Sequence, residues 1–247
     1  VEYKLYRGNC LDIMKNIGDK SIDMILCDPP YGVTARNKWD AVIPFEALWK
    51  EYKRIIKDNG AIVLFGQGMF TANLMTSNPK MWRYNLIWKK TQPVGFLNAN
   101  RMPLRSHEDI CIFYKKLPVY NPQKTDGRRK ISLKEHKKNC KTTPIYSNYK
   151  PISYDSAERF PTSVLTFSKD TQKSALHSTQ KPVALLEWLI KTYTNENETV
   201  LDNCMGSGST GVACINTNRN FIGIEIEEEM FQTTKERINN CYLERKK

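Results

Sequence analysis

Two periodicities alternate along the chain. Ile22 to Cys27 is a short run of mostly large apolar side chains ending at an Asp-Pro-Pro turn, the signature of a buried strand. Pro44 to Lys57 carries Phe45, Leu48, Trp49, Tyr52, Ile55 and Ile56 at helical spacing. A second strand is predicted at Ala61 to Phe65, after Asn59-Gly60, with further strands at Asn85 to Trp88 and Ile110 to Tyr114. The pattern resumes with a helix from Pro182 to Tyr193 and a strand at Thr199 to Leu201. A glycine turn, a helix from Thr210 to Asn216, a strand at Phe221 to Glu225 and a last helix from Glu227 complete it. Such alternation predicts an α/β fold, doubly wound on a mostly parallel sheet.

Between these two periodic stretches the pattern lapses, and there charge changes the picture. From Lys115 to Lys150 eleven Lys or Arg face only two acids, Asp126 and Glu135, among Pro, Asn, Thr and Tyr. Most of the formal net charge of +12 sits in this run, which is interleaved with Tyr120, Tyr146 and Tyr149 and followed by Tyr154. A solvated loop is the bland reading of such a run; its aromatic interleaving within a regular fold favours a nucleic-acid contact region. The 247 residues are enough for one sizeable core rather than two independent ones. The expected organisation is therefore one domain in three parts: 1–114, an inserted basic region over 115–174, and 175–247.

Other compositional features exclude classes. No run of roughly 18 apolar residues exists, so a soluble, cytoplasmic protein is expected, with no membrane partner. The seven cysteines are scattered and never spaced Cys-x-x-Cys, and read as reduced thiols. His107, His136 and His177 have no partner at metal-ligand spacing, and no metal is expected.

Two segments carry chemistry. The first runs Asp202-Asn203-Cys204-Met205-Gly206-Ser207-Gly208-Ser209-Thr210, between the Thr199 strand and the next helix. Glycines there let the backbone approach a ligand, and the helix start offers free N–H groups. Asp202, Cys204, Met205, Gly206, Ser207, Gly208, Ser209 and Thr210 are thus candidate cofactor contacts. Glu225 ends the following strand, where an acid can accept from both hydroxyls of a ribose; it is equally placed to cap a helix. The spacing suits a nicotinamide cofactor as well as S-adenosylmethionine.

The second segment decides between them. Asp28-Pro29-Pro30-Tyr31 follows the first buried strand. An exocyclic amine on an aromatic base is a poor nucleophile because its lone pair is delocalised into the ring. The Asp28 carboxylate and the Pro29 carbonyl, held in an extended turn by Pro29 and Pro30, can each accept one amine hydrogen and so re-aim that lone pair. Orientation and electrostatics then supply most of the catalysis. Tyr31 offers a face on which an extruded base can stack.

Together these segments resemble the amino-methyltransferases of DNA, and their order resembles the β class, in which the Asp-Pro-Pro-Tyr segment comes first, target recognition lies in the middle and the glycine loop comes late. The resemblance spans nearly the whole chain. It implies a Rossmann-like methyltransferase fold with circularly permuted motif order, S-adenosylmethionine as cofactor and base flipping as the mode of access. It also implies cofactor contacts at His177, Thr179 and Lys181 in His177-Ser178-Thr179-Gln180-Lys181-Pro182, and at Asn9 and Cys10 in Arg7-Gly8-Asn9-Cys10-Leu11. Asn9 stands where the family usually has an acid, Asn203-Cys204 where it often has Pro-Phe, and Ser178 where a proline is common. Lys89, in Leu86 to Lys90, and Arg101 and Arg105, in the stretch with His107 and Glu108, look like family segments around the base. With Arg128, Arg129 and Lys130 they are the candidate DNA contacts. DNA, a second copy of the chain and a companion restriction endonuclease are the candidate partners.

Rival readings divide on particular residues. Carbon methylation of cytosine needs a cysteine nucleophile, usually after proline, and no Pro-Cys pair exists. RNA or protein amide methyltransferases commonly carry Asn-Pro-Pro-Tyr after an early glycine loop; here the residue is Asp28 and the order is reversed. A DNA-binding subunit without catalysis would not need Asp28, Tyr31 and both loop glycines. In the family an aspartate at the first motif position accompanies adenine and a serine accompanies cytosine, so adenine is expected, with cytosine amino-methylation as the alternative.

Overall fold

The computed structural model describes residues 1–32, 41–127, 157–170 and 180–245. An eight-stranded sheet has the order β1-β10-β9-β2-β3-β5-β4-β8. Its strands are β1 (Tyr3–Arg7), β2 (Ile22–Cys27), β3 (Ile56–Gly66), β4 (Trp82–Val94), β5 (Arg105–Phe113), β8 (Val164–Phe167), β9 (Thr199–Asp202) and β10 (Asn220–Glu225). Only β5 runs against the rest, pairing antiparallel with both β3 and β4. The mostly parallel, doubly wound α/β architecture expected from the alternation is the one observed.

Strand alternation divides the core into two layers. On one face Met24, Leu26, Ala61, Val63 and Phe65 pack against α4 (Val183–Tyr193), α5 (Ser209–Asn216) and α6 (Glu228–Arg245). On the other, Ile22, Ile25, Cys27, Ile62 and Leu64 pack against α1 (Cys10–Met14), α2 (Phe45–Ile55) and α3 (Met69–Ser77). A strand covered on both faces is apolar at positions of both parities, which is why β2 reads as a nearly continuous apolar run, broken only by Asp23, which pairs with Lys57. The helix expected from Pro44 to Lys57 ends at Ile55, because Ile56 is already extended and begins β3.

This topology places the site. From β2 the chain crosses through α2 to β3 on one side; from β9 it crosses through α5 to β10 on the other. β2 and β9 are themselves parallel neighbours, Met24 opposite Val200 and Ile25 opposite Leu201. Their shared carboxyl end is the topological switch point, where open α/β sheets bind ligands.

Residues Pro122–Thr162 form a second compact unit. Its described part holds a short antiparallel ladder of β6 (Thr125–Asp126) and β7 (Glu158–Arg159), with Lys124 paired to Glu158 at 2.9 Å. Within the stretch 115–174, Val164–Phe167 joins the main sheet beside β4. Among the described residues no helix is long and apolar enough to cross a membrane.

Candidate active site

Asp28 leaves the end of β2 half-buried, and its two carboxylate oxygens have different partners. The Tyr31 hydroxyl donates to Oδ1 at 2.6 Å, and the Lys181 ammonium donates to Oδ2. Tyr31 is stacked on Phe70 of α3, ring centroids 4.7 Å apart, which fixes its plane. Burial, and then the Asp28 charge, push its phenol well above the ordinary tyrosine range, so it is a neutral donor.

Behind this pair lies a buried chain of alternating charge. Lys181 also lies 3.3 Å from Glu108 Oε2, and Lys90 reaches Glu108 Oε1 at 2.5 Å. The side chains of Lys90, Lys181 and Glu108 are only 5%, 10% and 12% exposed. Burial alone would raise the Glu108 carboxyl, but Lys181 and Lys90 outweigh it and hold the group below the usual glutamate range. Burial likewise works against the Lys181 ammonium, and Asp28 and Glu108 overcome it. Glu108 and Lys181 therefore stay charged at neutral pH. Among the described residues Glu108 Oε2 makes no aligned hydrogen bond, so the approach of Lys181 there is a contact of charges.

The glycine loop leaves the neighbouring strand. Asp202 Oδ2 accepts from the Thr210 hydroxyl at 2.6 Å and Oδ1 from the Cys204 N–H at 3.1 Å. Burial without a cation raises its carboxyl to about 7, against the pull of those two donors. Asn203 accepts from the Tyr52 hydroxyl at 2.5 Å, tying the loop to α2. Gly206 and Gly208 have φ of +48° and +77°. Beside Gly206 nothing lies within 4 Å of where a Cβ would stand, leaving its backbone open to a ligand. At Gly208 the reason is packing: a Cβ would lie 2.6 Å from Thr234 Cγ2 of α6. Thr234 donates to the Gly206 carbonyl, and Arg237 to the Ser207 carbonyl at 2.8 Å and the Ser209 hydroxyl at 3.2 Å. The loop is thus clasped from behind by the helix that the sequence pattern offered only as a last helix from Glu227.

Several expected contacts have visible local duties. Glu225 Oε2 accepts from Gly206 N–H, and Oε1 from the N–H groups of Ile226 and Glu227, all at 2.9 Å. It therefore anchors the loop and caps the approach to α6, with lone pairs left on Oε2. The exposed Asn9 caps α1 by accepting from Leu11 N–H at 2.9 Å. Cys10 is buried in the layer that holds Cys27, with Cys204 packed against it; hydrogen bonding to Cys204, then burial, push its thiol upward. Burial raises Cys27 to about 12, which makes it core rather than nucleophile. Met205 is buried. Lys181, expected among the cofactor contacts, touches Asp28. Lys89, Arg101 and Arg105 are exposed, Arg105 donating to Gln67 Oε1 at 3.1 Å. His177, Thr179, Arg128, Arg129, Lys130, Tyr146, Tyr149 and Tyr154 lie outside the described residues.

Sequence reasoning named Lys89 and missed Lys90. The signal was the phase of β4: Leu86, Trp88 and Lys90 are the buried set, so Lys89 had to point outward and Lys90 inward. Thr234 and Arg237 carried no such signal.

Comparison with known proteins identifies the family. A family model described as DNA methylase, covering both N6 and N4 types in its name, matches residues 22–236. The type II methyltransferase M.HinfI of Haemophilus influenzae is 29% identical, over 95% of this chain and 67% of its own length. M2.MboI of Moraxella bovis, also a type II methyltransferase, is 28% identical over 96% of this chain and 88% of its own. Among solved structures, a complex of M1.HpyAVI with SAM superposes with a TM-score of 0.65 at 28% identity, covering 96% of this chain and 99% of that one. The PvuII DNA methyltransferase, described as cytosine-N4-specific, superposes at 0.68 with 13% identity over 98% of this chain and 92% of its own, a likeness of fold.

Proposed function

The chain belongs to the DNA methylase family, and on that premise we propose that it transfers a methyl group from S-adenosylmethionine to the exocyclic amino group of adenine within a specific DNA sequence. The observation that carries the reading is the position of Asp28, at the carboxyl end of β2, beside the glycine loop at the carboxyl end of the adjacent β9. The choice of adenine rests on the aspartate itself, since in the family a serine at this position accompanies cytosine.

The residues present fit the cofactor: the open backbone at Gly206, the helix start after Gly208 and the Glu225 carboxylate suit the polar parts of a nucleoside. Gly206 to Thr210 and Glu225 would hold it, with Asn9, Cys10, His177 and Thr179 as further contacts. When bound, S-adenosylmethionine supplies an electrophilic methyl group on a positively charged sulfur.

The chain's own residues prepare the amine. Both Asp28 oxygens are engaged in the resting arrangement, by Tyr31 and Lys181. An entering amine replaces one of these donors with its own N–H, and the Pro29 carbonyl takes the second. Lys181 has a second carboxylate to turn to, because Glu108 Oε2 lies 3.3 Å away. We assign Lys181 to orienting Asp28, with Glu108 and Lys90 holding it in reach. Tyr31, its plane set by Phe70, stacks the extruded base. DNA is the proposed partner, met by Lys89, Arg101, Arg105 and the basic run of 115–150, and a second copy of the chain or a companion endonuclease would be further partners.

The test is transfer of labelled methyl groups to duplex DNA by the wild type and by Asp28→Ala, with cofactor affinity measured in parallel. The expected result is loss of transfer with binding retained. Retention of more than about a tenth of the rate, roughly 1.4 kcal/mol of barrier, would refute the role of Asp28.

A further inference from the structure

The hairpin of β4 and β5 outgrows β3 at the catalytic end. Its last shared level with β3 is Asp109, opposite Gly66, and the β5 stem continues back from there to Arg105. Four further residues at strand rise carry the stem about 13 Å beyond the end of β3, with β8 pairing alongside β4 as far as Lys90. The root of this extension is Glu108, which lies against Lys181 and so one side chain away from Asp28. The left-handed Gly95, at φ +93°, turns the chain into a single 3-10 turn, Phe96–Asn98, at the tip.

Two features of that tip are at odds with an ordinary solvated turn. Phe96 is 79% exposed and Leu97 99% exposed, adjacent to each other, with Met102 at 54%. From Lys89 to Arg105 the chain has four cations, Lys89, Lys90, Arg101 and Arg105, and no acid, together with the amides Gln92, Asn98 and Asn100. Apolar side chains carried on a basic, acid-free support match a polyanion with an apolar interior, which is a base stack beneath phosphates. A methylase acting on a buried amine must also fill or tolerate the gap left by the base it extrudes.

We propose that Phe96 and Leu97 form a wedge that enters the target duplex beside the methylated base and occupies the space the base vacates, while Arg101 and Arg105 hold the flanking phosphates. This rests on the reading that the chain methylates a base within duplex DNA. The hairpin root then couples the wedge to Asp28 through Glu108 and Lys181, so that the extruded base arrives on the side where its amine is received.

The experiment uses the full chain and a Phe96→Ser/Leu97→Ser variant, whose changes are at the surface and whose folding is checked by thermal unfolding. The methylated sequence is first mapped from wild-type product. Two duplexes are then compared, one with the target base normally paired and one with its partner base removed, so that extrusion is already easy. The wedge predicts a loss on the order of tenfold or more in kcat/KM on the paired duplex and recovery to within about threefold of wild type on the unpaired one. Cofactor affinity should be unchanged. Equal loss on both duplexes, or no loss on either, would overturn the proposal, as would a change in sedimentation of the free protein with unaltered methylation, which would make the tip a contact between copies. A wild type that methylates no DNA would instead sink the underlying reading.

Discussion

Asp202 is a carboxyl group that the fold holds without a cation, and its removal as a charge has a calculable consequence. The group is 4% exposed, its oxygens accept from the Thr210 hydroxyl and the Cys204 N–H, and burial lifts it from 3.8 to about 7. A carboxyl raised on folding binds its proton more tightly in the native state. Its contribution to stability is therefore fully present below the unfolded value near 3.8 and is lost as pH rises through about 7. The whole shift corresponds to about 4 kcal/mol, more than half of it falling between about pH 5 and about pH 8. Asp202→Asn removes the titration while keeping an acceptor for the Cys204 N–H, and the Thr210 hydroxyl can accept from the new amide. Urea unfolding of both proteins across this range, followed by tryptophan fluorescence, should show the variant gaining about 3 kcal/mol on the wild type as pH rises. Parallel stability profiles would refute the picture of an unpaired buried carboxylate at the glycine loop.

Three further outcomes are expected. Lys90→Met strips Glu108 of its 2.5 Å partner and leaves a buried carboxylate with Lys181 alone, so unfolding free energy should fall by about 3–5 kcal/mol; a drop below about 1 kcal/mol in denaturant titration would contradict the charge chain. Lys181→Met should cut the methyl-transfer rate by more than about tenfold, with Lys181→Arg recovering part of it and cofactor affinity little changed; a defect confined to cofactor affinity would return Lys181 to the cofactor side. Gly208→Ala forces a side chain into left-handed backbone and against Thr234, and calorimetry should register a loss of about 2–4 kcal/mol. A variant as stable as the wild type would show that α6 does not clasp the loop.

The sequence was most informative where local and global demands coincide. Residues 22 and 24–27 are apolar because helices cover β2 on both faces, with Asp23 the one exception, near the start of the strand, so the strand that delivers Asp28 was visible to the residue. The glycine loop was visible for the same reason: its backbone conformation needs glycine whatever surrounds it. Legibility failed where partners distant in sequence decide. Strands expected at Asn85 to Trp88 and Ile110 to Tyr114 run as Trp82–Val94 and Arg105–Phe113, because mutual antiparallel pairing carries polar residues that alone read as loop. Tyr3–Arg7 went unrecognised as an edge strand because Lys4, Tyr6 and Arg7 are exposed and leave no buried run, and it is held by pairing with β10. At the site, Glu108 and Lys181 lie 73 positions apart in the chain, and only the fold shows that both serve Asp28. Glu225 was read as ribose acceptor or helix cap, and its hydrogen bonds display the capping half of that pair.

The central claim is that Asp28 and its neighbours deliver a methyl group to the amino group of adenine in DNA. Incubating unmethylated duplex DNA with the protein and S-adenosylmethionine, digesting it to nucleosides and resolving them by mass spectrometry reads the claim directly. The expected methylated nucleoside is N6-methyladenine, absent with Asp28→Ala. Finding N4-methylcytosine in its place, or no methylated base from a protein that binds the cofactor, would contradict it.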